Sequence, residues 1–276
     1  AVTRTFQSKM GDKVSVLDFG AKADGVSDDT VAIRNAIQSL GRKGGEVSIP
    51  RGVCMASEVV IPRNVILVGE GPTSSRLRQL PGSNKDFVTS ENFATLTGTG
   101  ASVASDSRVP SWFGLRGITV DGNRAGNSAG RGACLYGAYL ILDQVVFGWA
   151  AGHGLFTEYA TAVITAENLA DQEEGYARDI VCRNNGGIGW LNRGPHNLHM
   201  ENIIVNRNDD WGYRSEIVDG KYNGAPTYCT VLHGYMNDMN WTPASGRVRK
   251  NLYLGTNGSY GQIVVDGGSL AIASNS

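Results

Sequence analysis

The residues in this 276-residue chain best suited to chemistry are carboxylates. Glycoside hydrolysis needs two of them. One is protonated to donate to the leaving oxygen, and the other is ionised as base or nucleophile. When the chain is aligned on an internal repeat described below, Arg131, Glu158, Arg193 and Glu216 fall in one column. With coils about 4.8 Å apart, Glu158 and Glu216 would flank Arg193 with backbones about 9 to 10 Å apart. That is near the carboxyl separation of inverting glycosidases. Arg193 would hold one carboxylate ionised and leave the other freer to carry a proton. A plain surface salt-bridge ladder is the competing reading of the column.

A second acidic cluster is Glu167, Asp171, Glu173 and Glu174, in the extra residues that stretch one repeat. Loops inserted into regular scaffolds often carry function. Asp171 and Glu173 therefore join Glu158 and Glu216 as catalytic candidates, against the alternative of a solvated charged loop. The third cluster is Asp209–Asp210, flanked by Arg207 and Trp211. A carboxylate pair can split its pKa values into acid and base roles, but turn polarity explains the pair as well. Trp190 and Tyr213 share a column with Leu155, and Trp149 and Trp211 sit nearby in the repeat. They could stack sugar rings or fill a core. Arg193, Trp190, Trp211, Tyr213, Asp209 and Asp210 are the substrate-binding candidates.

Elimination on a uronate would instead need a base beside a cation that neutralises the sugar carboxylate. Arg183, Arg193, Arg207 and His199 are available, and no pattern singles one out. There is no Ser/His/Asp signature, nucleotide-binding loop or HExxH motif. His153, His196, His199 and His233 lack metal spacing, as do the four cysteines, so neither metal nor cofactor is expected. Cys54, Cys134, Cys182 and Cys229 read as buried free thiols, which fit folding in a reducing cytosol.

The scaffold that must position these groups is repetitive. Five windows align without gaps, starting at Arg116, Asp143, Arg178, Glu201 and Lys250. Their third position is aliphatic (Ile118, Val145, Ile180, Ile203, Leu252) and their fifth is apolar. The eighth is Asn123, Asn185, Asn208 and Asn257, with Ala150 the exception. A weaker sixth copy starts near Thr227, with Cys229 and Val231 inward. A period in the low twenties with variable insertions is a solenoid signature. Period-2 strands turn alternate residues inward, and a recurrent turn Asn can stack on its copies. The fold class expected is all-β, a right-handed parallel β-helix.

Before the repeats, residues 1–15 read as a lead-in and 16–276 as the β-helix domain. VSVLDFGA predicts a strand, and ADGVSDD a turn. Residues 28–40 predict a capping helix with Val31, Ile33, Ala36, Ile37 and Leu40 on its apolar stripe. EVSIP, EVVIP and NVILVGEG predict short strands. Residues 83–112, rich in Ser, Thr, Asn and Gly, predict a long excursion from the stack.

Composition agrees and narrows function. Lys plus Arg is 25 against 26 Asp plus Glu, which argues against nucleic-acid binding through bulk charge. No 18-residue apolar run exists, so no membrane insertion is expected. Glycine at 37 residues fits a chain that turns often. The opening AVTRTFQSKMGDK has neither a signal-peptide apolar stretch nor an initiator Met, so a processed or partial chain is expected.

RT-x-x-x-K, VSV-x-DFGA, DG-x-x-DDT-x-AI and GGEVSIPRG together resemble the entry segment of bacteriophage tailspikes with a pectate-lyase-like β-helix. The resemblance is specific over about residues 3 to 53. It implies a homotrimer in the virion, made in the host cytoplasm and acting at the bacterial surface with other phage tail proteins. It also implies a surface polysaccharide, capsule or O-antigen, as partner. Depolymerisation by hydrolysis is the expected activity. A polysaccharide lyase and a non-catalytic tail adhesin are the alternatives.

Overall fold

The computed structural model describes residues 13–96, 107–158, 173–193, 196–215, 232–233 and 250–254. The chain winds as a parallel β-helix, right-handed as parallel crossovers are. From Ser111 onward each described coil gives one strand to a long sheet and one to a short sheet, whereas earlier coils give two strands to the long sheet. The long sheet includes Ser111–Asp121, Ala138–Gly148, Glu173–Arg183 and His196–Asn206, ending at Leu232–His233. The short sheet runs Val59–Ile61, Val88–Ser90, Ala133–Leu135, Leu155–Thr157, Trp190–Asn192, Trp211–Ser215 and Lys250–Leu254. Ser111–Asp121 is long enough to pair end to end with two earlier strands, Val65–Gly69 and Ser75–Gln79.

The repeat register holds through four windows. Asp143 pairs with Arg116 and Arg178, and Arg178 pairs with Glu201. Ile118, Val145, Ile180 and Ile203 stack inside with no exposed surface, beside Val120, Phe147, Cys182 and Val205. The fifth window does not follow. Leu252 pairs with Tyr213 in the short sheet, and the long sheet continues instead through Leu232–His233, with His233 opposite Glu201. The copy starting at Thr227 is thus out of register, and Cys229, Val231 and Asn257 lie outside the described residues.

At the corner after each long strand, buried amides satisfy the turn. Asn185 Nδ2 donates to Asn208 Oδ1 and Asn208 Nδ2 to the Cys182 carbonyl, while the Ala150 N–H donates to Asn185 Oδ1. Glycine is required beneath them. A Cβ on Gly189 would lie 2.4 Å from the Gly212 carbonyl oxygen and 2.6 Å from Asn208 Nδ2.

The helix Thr30–Ser39 covers the open N-terminal end, burying Ala32, Ile33, Ala36 and Ile37. Val31, expected on that stripe, is 59% exposed, and Leu40 is partly buried. Two neighbouring segments also differ from expectation. The strand at Lys13–Ser15 stops early because Ser15 and Asp18 form a capping box for the 3-10 turn Val16–Phe19. Asp24–Asp28, expected as a turn, pairs with Gly52–Ala56 through an irregular register. Within the expected excursion, Val88–Ser90 is a strand and Phe93–Leu96 a short helix.

Backbone columns of positive φ carry a cost. Where four successive coils enter the long sheet the chain takes positive φ, at Gly44 (71°), Asn64 (62°), Trp112 (55°) and Tyr139 (54°). Register places these four in succession. Gly tolerates this conformation and Asn nearly so, whereas other L-residues pay about 1–2 kcal/mol each.

Candidate functional site

Glu158 and Arg193 meet because their strands are in register. Thr157 pairs with Asn192 in adjacent coils, and the ladder continues one residue further through Arg193 N–H to the Thr157 carbonyl. Arg193 Nη1 lies 3.3 Å from Glu158 Oε2, with side chains 29% and 12% exposed. Positions 158 and 193 thus stand as the repeat alignment placed them. Arg131 does not occupy the same column, because Leu135 pairs with Thr157 and brings Tyr136 level with Glu158.

Arg131 nevertheless joins the site from the side, with a partner that sequence spacing did not reveal. Asp86, 45 residues earlier, accepts from the Arg131 backbone N–H, Nε and Nη2. Burial would raise the Asp86 pKa, but the Arg131 guanidinium outweighs it and holds the carboxyl below its ordinary value. The guanidiniums of Arg131 and Arg193 both lie over the Phe156 ring, at 4.5 and 5.4 Å, and Arg131 also lies over Phe93. The short sheet's outer wall therefore presents two arginines on one aromatic ring, each paired with a carboxylate. Such a wall can bind hydroxyls or an anionic sugar, and it offers Glu158 as a proton-transfer group.

The other candidates fall in different places. Glu216 and Asp171 lie outside the described residues. Glu173 opens the long strand opposite His196, on the other sheet from Glu158. Trp190 and Tyr213 are corrected from sugar platform to core. Their exposures are 0% and 1%, their rings pack edge to face at 5.6 Å, and Trp190 Nε1 donates to Thr157 Oγ1. The Asn192 amide links Thr157 to the Tyr213 hydroxyl. Trp211 is also buried, in a cluster with Phe93, Cys134, Phe156 and Leu191 outside the coil. Asp209 is 3% exposed and ion-pairs with Arg124, which turns it away from a substrate role. The Asp210 N–H donates to the Gly187 carbonyl at the corner.

Cys54, Cys134 and Cys182 are buried free thiols. Burial pushes Cys54 up to about 12 and raises the other two, so none is a thiolate nucleophile. Among the described residues no group of His, Cys, Asp and Glu could hold a metal ion, and no helix is long and apolar enough to cross a membrane.

Comparison with known proteins places this architecture. The chain is 26% identical over 250 residues to mannuronan C5-epimerase AlgE5 of Azotobacter vinelandii, covering 80% of this chain and 24% of that protein. It is 32% identical over 171 residues to the tail spike protein of Shigella phage Sf6, covering 59% of this chain and 25% of that protein. The A-module of the Azotobacter vinelandii epimerase AlgE4 superposes with a TM-score of 0.57 at 24% identity, over 74% of this chain and 53% of that one. The chain thus spans about a quarter of the length of these two curated relatives. The tailspike resemblance at the N-terminus is met by the phage match, within a wider β-helix group. Residues 13–215 match the family described as rhamnogalacturonase A/epimerase, pectate lyase-like, and the chain belongs to that family.

Proposed function

We propose that this chain is the glycan-processing β-helix of a phage tailspike, which binds a bacterial surface polysaccharide on the outer wall of the short sheet and cleaves it by hydrolysis. The observation that carries the reading is the contact of Glu158 with Arg193 across adjacent coils, at the rim of that wall. In this reading Glu158 divides the acid and base roles with a second carboxylate, for which Glu216, Asp171 and Glu173 are the candidates. The 32% identity to a tail spike protein supports the setting. That setting carries a homotrimer in the virion with other tail proteins.

Elimination or epimerisation on a uronan is the second reading. It is favoured by the two guanidiniums over Phe156, which could neutralise a sugar carboxylate, and by the similarity to mannuronan epimerases. The test is incubation of the protein with a panel of capsule and O-antigen polysaccharides and with polymannuronate. New reducing ends without ultraviolet absorbance of an unsaturated uronate support hydrolysis. Absorbance from that product supports elimination, and changed uronate stereochemistry without chain cleavage supports epimerisation. No change in any glycan leaves a binding role alone.

A further inference from the structure

We propose that Trp112 and Tyr139 form a second glycan-binding platform, where a sugar ring stacks on Trp112. The inference rests on the polysaccharide reading above and adds a binding site to it.

The two rings stack across adjacent coils, 4.4 Å between centroids and 5° from parallel. Tyr139 covers one face of the indole, yet Trp112 is 55% exposed. A ring with one face covered reaches that exposure only when its other face and edges are open. Sugars pack apolar C–H faces on such rings and direct hydroxyls to polar groups beside them. Those groups are present. Among the described residues the Trp112 indole N–H and the Tyr139 hydroxyl have no hydrogen-bond partner, nor has the side-chain amide of Asn64, which precedes Trp112 in the column.

The residue types at 112 and 139 run against the backbone. In the two preceding coils the same positive-φ position holds Gly44 and Asn64, which suit it. Trp and Tyr occupy it in the next two coils, leaving a large apolar ring in water. Positive φ at non-glycine residues recurs at Gln144, Asp179 and Asn202 in a further column of the long sheet, so the exposed stacked rings, rather than the backbone, carry the inference. The platform also adjoins the candidate wall. Tyr139 follows by three residues the position, Tyr136, that stands level with Glu158. A glycan rounding the corner between the sheets can therefore touch both. Of the nearby long-sheet arginines, Arg116 is paired with Glu46 and Arg178 with Asp143. An apolar sugar face is the chemistry that a stacked aromatic ring fits.

The test uses Trp112→Asn and Tyr139→Asn, with Trp112→Phe as a ring-preserving control. Binding is read on an array of purified bacterial polysaccharides and by gel retardation with the glycan bound best. The expected result is an affinity about tenfold lower for both Asn variants with a melting temperature equal to or above that of the parent, and near-parental binding for Trp112→Phe. Unchanged affinity in the Asn variants, a lowered melting temperature, or loss of an oligomer on light scattering would each overturn the proposal, as would an array on which the parent binds nothing. Glu158→Gln separates this from the cleavage reading. If it abolishes turnover while Trp112→Asn binds normally, the platform fails and the cleavage site stands. If Trp112→Asn weakens binding and no glycan is cleaved, the platform stands alone.

Discussion

Asn185 and Asn208 share one hydrogen-bonding unit across two coils: the Oδ1 of Asn208 accepts from both the side-chain amide and the backbone N–H of Asn185, at 2.9 and 3.3 Å. Neither residue has exposed surface. Asn208→Ala removes the acceptor for two donors and the donor to the Cys182 carbonyl in a fully buried corner. The expected loss is about 1–3 kcal/mol. In a chain of this size that lowers the melting temperature by about 2–4 °C per kcal/mol. Thermal unfolding followed by circular dichroism checks it. An unchanged midpoint would mean that the corner is held by backbone bonds alone.

Trp190 provides a sharp test of core against platform. Its indole fills the interior against Tyr213 and spends its N–H on Thr157. Trp190→Phe leaves a cavity and removes the indole donor to the Thr157 hydroxyl, which keeps its own bond to Asn192 Oδ1. The expected outcome is a stability loss of about 1–3 kcal/mol, with glycan affinity of the folded fraction unchanged. A drop in affinity at parental stability would restore the sugar-contact role.

The contrast between Trp190 and Ile180 shows which features were legible in the sequence. Ile118, Val145, Ile180 and Ile203 lie in 11-residue strands, where alternation over several residues fixes inside from outside. Trp190 lies in a three-residue strand, which offers too few residues to set parity. The window alignment misplaces Leu252 for a related reason, since strands of both sheets carry the same inward apolar pattern and only the intervening corner tells them apart. Glu158 and Arg193 could be placed together because the count from Asp143 and Arg178 contains no insertion. Asp86 could not, because it reaches Arg131 from a coil whose strand, Val88–Ser90, lies in the stretch read as an excursion. Trp112 and Tyr139 each lie four residues before an aligned window, those starting at Arg116 and Asp143, and so fall outside the repeat signal.

Acid stability should depend on Asp86. Its folded-state pKa lies below the ordinary value of about 3.9 because Arg131 outweighs the effect of burial. A depressed carboxyl contributes stability that is fully present above the unfolded-state pKa and is lost as pH falls through the folded-state value. Asp86→Asn should therefore be less stable than the parent at neutral pH, with the gap narrowing as pH drops below about 4. Urea unfolding at a series of pH values measures it. A gap that stays constant across that window would show that the Arg131 contact contributes no charge-dependent stability.

Glu158 is where the proposed chemistry stands or falls. Its side chain is mostly enclosed, and Arg193 contacts one of its oxygens. As a general acid or base, its replacement in Glu158→Gln should cost about a hundredfold or more in turnover with folding intact. A loss of less than about threefold would remove it from the mechanism. Arg193 then assigns the role. A neighbouring guanidinium favours the ionised carboxylate, so Arg193→Gln should raise the Glu158 pKa. If Glu158 is the base, the acidic limb of the pH–rate profile moves to higher pH in Arg193→Gln, because the carboxylate must lose its proton to act. If Glu158 is the acid, the alkaline limb moves upward instead, since the protonated form persists further. A profile that keeps both limbs in place while turnover falls would confine Arg193 to binding the sugar.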